Sequence, residues 1–137
     1  MQGTLRTAHL VVGAIAVGAF LVTGLVMYSH EPPLSAMDWG DRLLFRSRHI
    51  YLLSAGLANL ALGIHYELPP ANWRRSGAVA ASLLALASAP VLFFAFFAEP
   101  MAGREPGAMS ALGLYALFGG VIGFAFANLR RRPGSAT

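Results

Sequence analysis

The sequence predicts an all-α fold: an integral membrane four-helix bundle in a single domain spanning residues 1–137. Three observations carry this. Hydrophobic residues make up 56% of the chain and charged residues only 12%, against about a quarter charged in an average soluble domain. Four apolar stretches, at about 8–28, 49–66, 76–98 and 107–129, each approach the ~20 residues a helix needs to cross ~30 Å of hydrocarbon. Within each stretch, small or polar residues recur every 3.5 positions on average. That repeat is the seam of left-handed helix packing, and small residues on it let helices approach where lipid supplies no hydrophobic drive.

The first span carries the seam His9, Gly13, Ala16, Phe20, Thr23, Met27, His30. Its apolar run is longer than the 7–15 residues typical of a signal h-region, and no A-x-A-like site follows "VMYSHEPP", so it is expected to be retained. "HEPPL" ends it, because proline lacks a donor and disfavours helix before it. Ser35 is then expected to cap a short interfacial helix, "AMDWGDRLLFRSRH", with Asp38 at the capping-box position; this helix runs into the second span. The second seam is His49, Leu52, Gly56, Asn59, Gly63, Tyr66. "ELPPANWRR" is a tight turn with Trp73 at headgroup depth. The third seam is Ala78, Ala81, Ala85, Ser88, Leu92, Ala95, with Pro90 expected to kink the helix and Ser88 to help satisfy the freed carbonyl. Phe93, Phe94, Phe96 and Phe97 cover too wide an arc for one packing face and are read as lipid-facing. The fourth seam is Met109, Gly113, Ala116, Gly120, Gly123, Ala127, and Gly119-x3-Gly123 adds a close-packing motif. Asn59 and Ser88 are expected to find partners inside the bundle, as intramembrane polar groups must.

Charge sets the expected orientation. All ten basic residues are arginine. Arg6, Arg74, Arg75, Arg130, Arg131 and Arg132 fall on the side of the termini against Glu67 alone. Arg42, Arg46, Arg48 and Arg104 fall on the other side, against Glu31, Asp38, Asp41, Glu99 and Glu105. The arginine excess places both termini in the cytoplasm. The pI near 10.4 then reflects membrane anchoring, and no nucleic-acid partner is expected. With no cysteine, disulfides and thiolate metal sites are excluded. No Asp, Glu, Lys or Arg falls at mid-membrane depth, which disfavours an ion-coupled pump. No catalytic triad, paired intramembrane carboxylates or phosphate loop is present, so the chain is not expected to be an enzyme.

The external end is the richest in candidate ligands. His30 and His49 end the first seam and start the second. Met27, Met109 and Glu99 lie nearby, with Met37 and Met101 in the external loops. Thioether and imidazole suit copper(I), and two histidines suit haem b. His30 and His49 are therefore the candidate cofactor ligands, and Met27, Met109 and Glu99 the candidate additions for a metal. The plainer reading is a solvated interface with methionine as packing filler. Two stacked haems are disfavoured: His9 and His30 stand ~31 Å apart along a helix, and His49 and His65 point ~160° apart. Arg46 and Arg48 bracket His49, and a short ion-pair rim with Asp41, Glu99 or Glu105 is preferred to an anion-binding vestibule. Gly120 and Gly123 are expected to be structural.

"FRSRHIYLL", "LANLALG" and "APVLFFAFFAEP" resemble a pattern of small four-span bacterial inner-membrane proteins of unassigned function. The resemblance implies a bacterial inner-membrane location and carries no activity. The leading expectation is a non-enzymatic membrane protein that self-associates or serves a larger membrane complex as an accessory subunit. The alternatives are a copper or haem protein with its site at the external mouth, and a small channel or carrier.

Overall fold

The computed structural model describes residues 1–31, 33–70, 73–99 and 107–129. Among them every regular element is helical: α1 (Gln2–Tyr28), α2 (Trp39–Ile64), α3 (Trp73–Ala98) and α4 (Ala108–Asn128), with a 3-10 turn at Leu34–Ala36. Helices α1, α3 and α4 are long and apolar enough to cross a membrane. Helix α2 stands outside that group; Arg46, Arg48, His49 and Asn59 dilute its apolar run.

Two boundaries depart from the apolar stretches. Helix α1 starts at Gln2 rather than near residue 8, since backbone bonds continue through polar residues as readily as apolar ones. The interfacial segment and the second span form one helix, and Asp38, not Ser35, caps it. The Asp38 carboxylate accepts from the Gly40 N–H at 3.4 Å, and Asp41 adds a negative charge to the first turn, where the helix dipole favours it. Ser35 sits instead in the 3-10 turn. Arg42 ties that turn to α2, its Nη2 donating to the Ser35 and Met37 carbonyls at 3.1 Å each.

Helix α1 packs closely on α2 and α3 on α4, and the two pairs meet chiefly through α2 and α3. The seams explain the tightness. A Cβ on Gly13 would lie 2.7 Å from the Leu60 backbone nitrogen, and one on Gly120 would lie 2.6 Å from the Ala85 nitrogen. Backbone meets backbone at both crossings, so neither site has a flexible neighbour that yields. Buried positions match the expected seam at His9, Gly13, Ala16 and Thr23 in α1 and at all six positions in α3. In α4 the seam is Ser110, Gly113, Leu117, Gly120, Phe124. It shares Gly113 and Gly120 with the expected set and differs by one residue elsewhere, because successive steps of three and four can be taken in either order. Gly123 lies 3.1 Å, by its would-be Cβ, from the Ala81 Cβ, whereas Gly119 has open space around it. The two glycines of Gly119-x3-Gly123 therefore face different surroundings. Phe96 is buried against Phe45, while Phe94 and Phe97 point outward.

Gly120→Leu should cost about 1–3 kcal/mol of stability by overpacking. Gly119→Leu, one residue away on the open face, should stay near wild type. Thermal unfolding of both variants in detergent checks this, and equal midpoints would refute the assigned crossing.

Candidate functional site: two buried polar clusters

Most of the buried polar side chains gather in two clusters toward opposite ends of the bundle, with Thr23 and Ser88 outside both. One cluster lies at the end where α1 runs into α2, the first-loop end. Glu99 follows the last turn of α3, with its N–H on the Ala95 carbonyl at 3.2 Å. Its carboxylate crosses to the start of α4 and accepts from the Met109 N–H at 2.6 Å, from the Ser110 N–H at 3.2 and 3.3 Å, and from the Ser110 hydroxyl at 2.5 Å. It thus satisfies the orphan donors of a helix N-terminus from another helix. Gly107, the α4 N-cap, makes room: a Cβ there would overlap the Glu99 carboxylate. Arg48 reaches the same carboxylate from α2, with Nε 3.4 Å from Oε2, and both side chains are buried. Three helices therefore share one carboxylate.

Burial pushes the Glu99 carboxyl up, but the Ser110 hydroxyl, the two backbone donors and the Arg48 charge outweigh this and hold it below its ordinary value of 4.5. A carboxylate depressed in the folded state contributes stability that is complete above its unfolded pKa and lost as pH falls through the folded one. Stability should therefore be insensitive to this group at neutral pH and fall below about pH 4.5. Unfolding midpoints at pH 6 and pH 3.5 check this; Glu99→Gln should flatten the difference.

The second cluster lies toward the end of the bundle that carries the chain termini. His9, fully buried on α1, has Nδ1 2.7 Å from Asn59 Oδ1 and Nε2 2.7 Å from Ser82 Oγ. Asn59 Nδ2 donates to the Ala55 and Ala85 carbonyls at 2.9 and 3.1 Å, which orients the amide and leaves Oδ1 as the acceptor. Nδ1 of His9 must then carry the proton, and Nε2 accepts from the Ser82 hydroxyl. Ser82 in turn accepts from the Tyr66 hydroxyl at 3.2 Å. The chain Tyr66, Ser82, His9, Asn59 is thus complete with a neutral imidazole. It joins α1, α2, α3 and the segment after α2, and it ends on backbone carbonyls, so it has no outlet for a proton beyond Asn59.

The candidate ligands are held by separate partners. His49 stacks on Phe20 at 4.0 Å between centroids. Its Nδ1 lies 3.0 Å from Thr23 Oγ1, and Thr23 donates to the Phe20 carbonyl. His49 therefore donates through Nδ1, and its ring lies over Gly24. His30 packs edge-on to Phe45 at 5.4 Å. Met27 is half-buried, and Met109 is partly exposed with its N–H on Glu99. Among the described residues, no group of three or more His, Asp and Glu side chains is placed to hold a metal ion. Arg46 is exposed, whereas Arg48, not His49, continues the α2 seam with Phe45 and Leu52. Ser88 donates to the Ala85 carbonyl at 2.7 Å, not to the Leu86 carbonyl that Pro90 leaves without its N–H. Met101, Arg104, Glu105 and Arg130–Arg132 lie outside the described residues. His9 and Ser82 were not among the expected ligands; the signal for them was Asn59, an amide amid apolar residues that needed a partner at its own depth.

Two apolar crevices flank the helix pairs. One, of about 490 Å³, lies between α1 and α3 and is lined by Ile15, Ala19, Ala89, Pro90 and Phe93 among others. The other, of about 460 Å³, lies between α2 and α4, with His65, Glu67 and Asn128 on its rim. Comparison with protein-family models, curated proteins and solved structures finds no match to this chain.

Proposed function

We propose that this chain is a small, non-enzymatic, multi-pass membrane protein that self-associates or serves a larger membrane complex as an accessory subunit. The observation that carries the reading is an inverted distribution of polarity. Ile15, Leu21, Leu25, Leu112, Ile122 and Phe126 are each more than 60% exposed, while His9, Thr23, Asn59, Ser82 and Ser88 are fully buried. Water does not favour that surface; lipid or a partner helix does. Helix α4 supports the docking part. Tyr115, Phe118, Ile122 and Phe126 are exposed, with open space at Gly119 among them, a notch of the kind that admits another helix. The non-catalytic part is supported by the employment of His9, Asn59, Ser82 and Glu99 in holding helices together. In this reading all four helices span a bacterial inner membrane and the termini are cytoplasmic, on the side richer in arginine.

Native mass spectrometry and crosslinking of the protein extracted from its membrane test the proposal. A dimer or a stoichiometric partner is the expected result. A protein that stays monomeric and copurifies with nothing would refute it. Reporter fusions at the C-terminus should report cytoplasm, and an external C-terminus would overturn the orientation.

A further inference from the structure

Arg48 stands apart from the other buried polar groups. Its side chain is 2% exposed, yet Nη1 and Nη2 are both enclosed and have no hydrogen-bond partner among the described residues. Among the described residues, only its Nε meets a counter-charge, at 3.4 Å from Glu99. That carboxylate is committed elsewhere, at 2.5–2.6 Å to the Ser110 hydroxyl and the Met109 N–H. Its negative charge is therefore spent largely on the α4 N-terminus, which itself contributes about half a positive charge. Arg48 keeps a positive field and a planar edge of unused donors. A buried donor without an acceptor is costly, and a guanidinium edge matches two oxygens of an oxyanion.

We propose that the Nη1–Nη2 edge of Arg48 is a binding site for a phosphate-type oxyanion at the first-loop end of the bundle. Two sources share that chemistry: the phosphodiester of a membrane lipid and free inorganic phosphate. The exposed aromatic residues Tyr28 and Trp39 at this end suit headgroup depth, which favours the lipid. A cation is disfavoured there, because the guanidinium repels it. The inference stands on Arg48 alone and is independent of whether the chain acts as an accessory subunit.

The test uses the full chain, purified in a phosphate-free detergent. Inorganic phosphate should raise the thermal midpoint saturably in wild type. Arg48→Lys keeps the charge but loses the planar fork and should weaken this response about tenfold or more. Arg46→Gln, at an exposed neighbour, should not change it. Arg48→Met/Glu99→Gln removes the ion pair as a unit, so neither charge is left buried alone; helical circular dichroism confirms that it folds, and it should show no response. Phospholipid retained in native mass spectra of wild type, absent from the double variant and displaced by phosphate, assigns the lipid source. A phosphate response without retained lipid assigns the free ion. Equal responses in wild type and the double variant, or no response together with no retained phospholipid in wild type, would overturn the proposal.

Discussion

Glu99→Ala is expected to destabilise the bundle by about 3–5 kcal/mol, the usual cost of removing one partner from a buried ion pair. The variant leaves Arg48 charged and buried with no counter-charge, and it strips the α4 N-terminus of the acceptor for Met109 and Ser110. Both losses fall on helix junctions, so α4 should detach from α3 at its first turn. Hydrogen exchange should locate the loosening at residues 108–112, and thermal unfolding in detergent should give its size. Glu31→Ala, at an exposed acid of the same end, should stay within about 0.5 kcal/mol of wild type. Restoring neutrality with Arg48→Met in a Glu99→Gln background should recover much of the loss, since a buried pair replaced as a unit is often close to neutral. Equal stability of Glu99→Ala and Glu31→Ala would show that the carboxylate does not hold the junction.

His9→Ala is expected to cost about 2–5 kcal/mol, from the cavity left by the ring and the unpaired groups around it. Asn59 loses the donor to Oδ1, and Ser82 loses the acceptor for its hydroxyl. Tyr66 donates to Ser82 and does not replace that acceptor, so the loss leaves a donor on Ser82 and an acceptor on Asn59 without their His9 partner. His9→Gln offers a donor and an acceptor on a shorter reach and should recover part of the loss. His65→Ala, at an exposed histidine of the same end, should be nearly silent. Unfolding midpoints of the three variants decide the matter: if His9→Ala and His65→Ala unfold together, the network does not contribute to stability.

Much of the fold was legible because long apolar helices announce themselves by length and composition. The seams were legible where small residues are dense, as at Ala78, Ala81, Ala85 and Ser88 of α3. They were less so where a step of three or four leads to equally plausible residues. Arg48 and His49 lie four and three residues before Leu52, so either can precede it on the α2 seam, and the arginine takes the place because Glu99 waits there. The same ambiguity moved the α4 seam from Met109 to Ser110, whose hydroxyl completes the Glu99 site. The candidate ligands were chosen by residue type at one end of the bundle. Type alone does not say which side chains meet, and His30 and His49 took aromatic partners on different helices.

The sequence by itself determined the helical class, the apolar exterior and the small-residue crossings, because these depend on local composition and on periodicity along one chain. Only the tertiary structure decided how the polar groups pair. Whether His9 meets Asn59 and Ser82, and whether Glu99 caps α4 while holding Arg48, depends on the relative rotation and depth of separate helices. Inside an apolar bundle an unpaired polar group is costly, so those few contacts set the rotation, and the rotation exists only once the helices are packed.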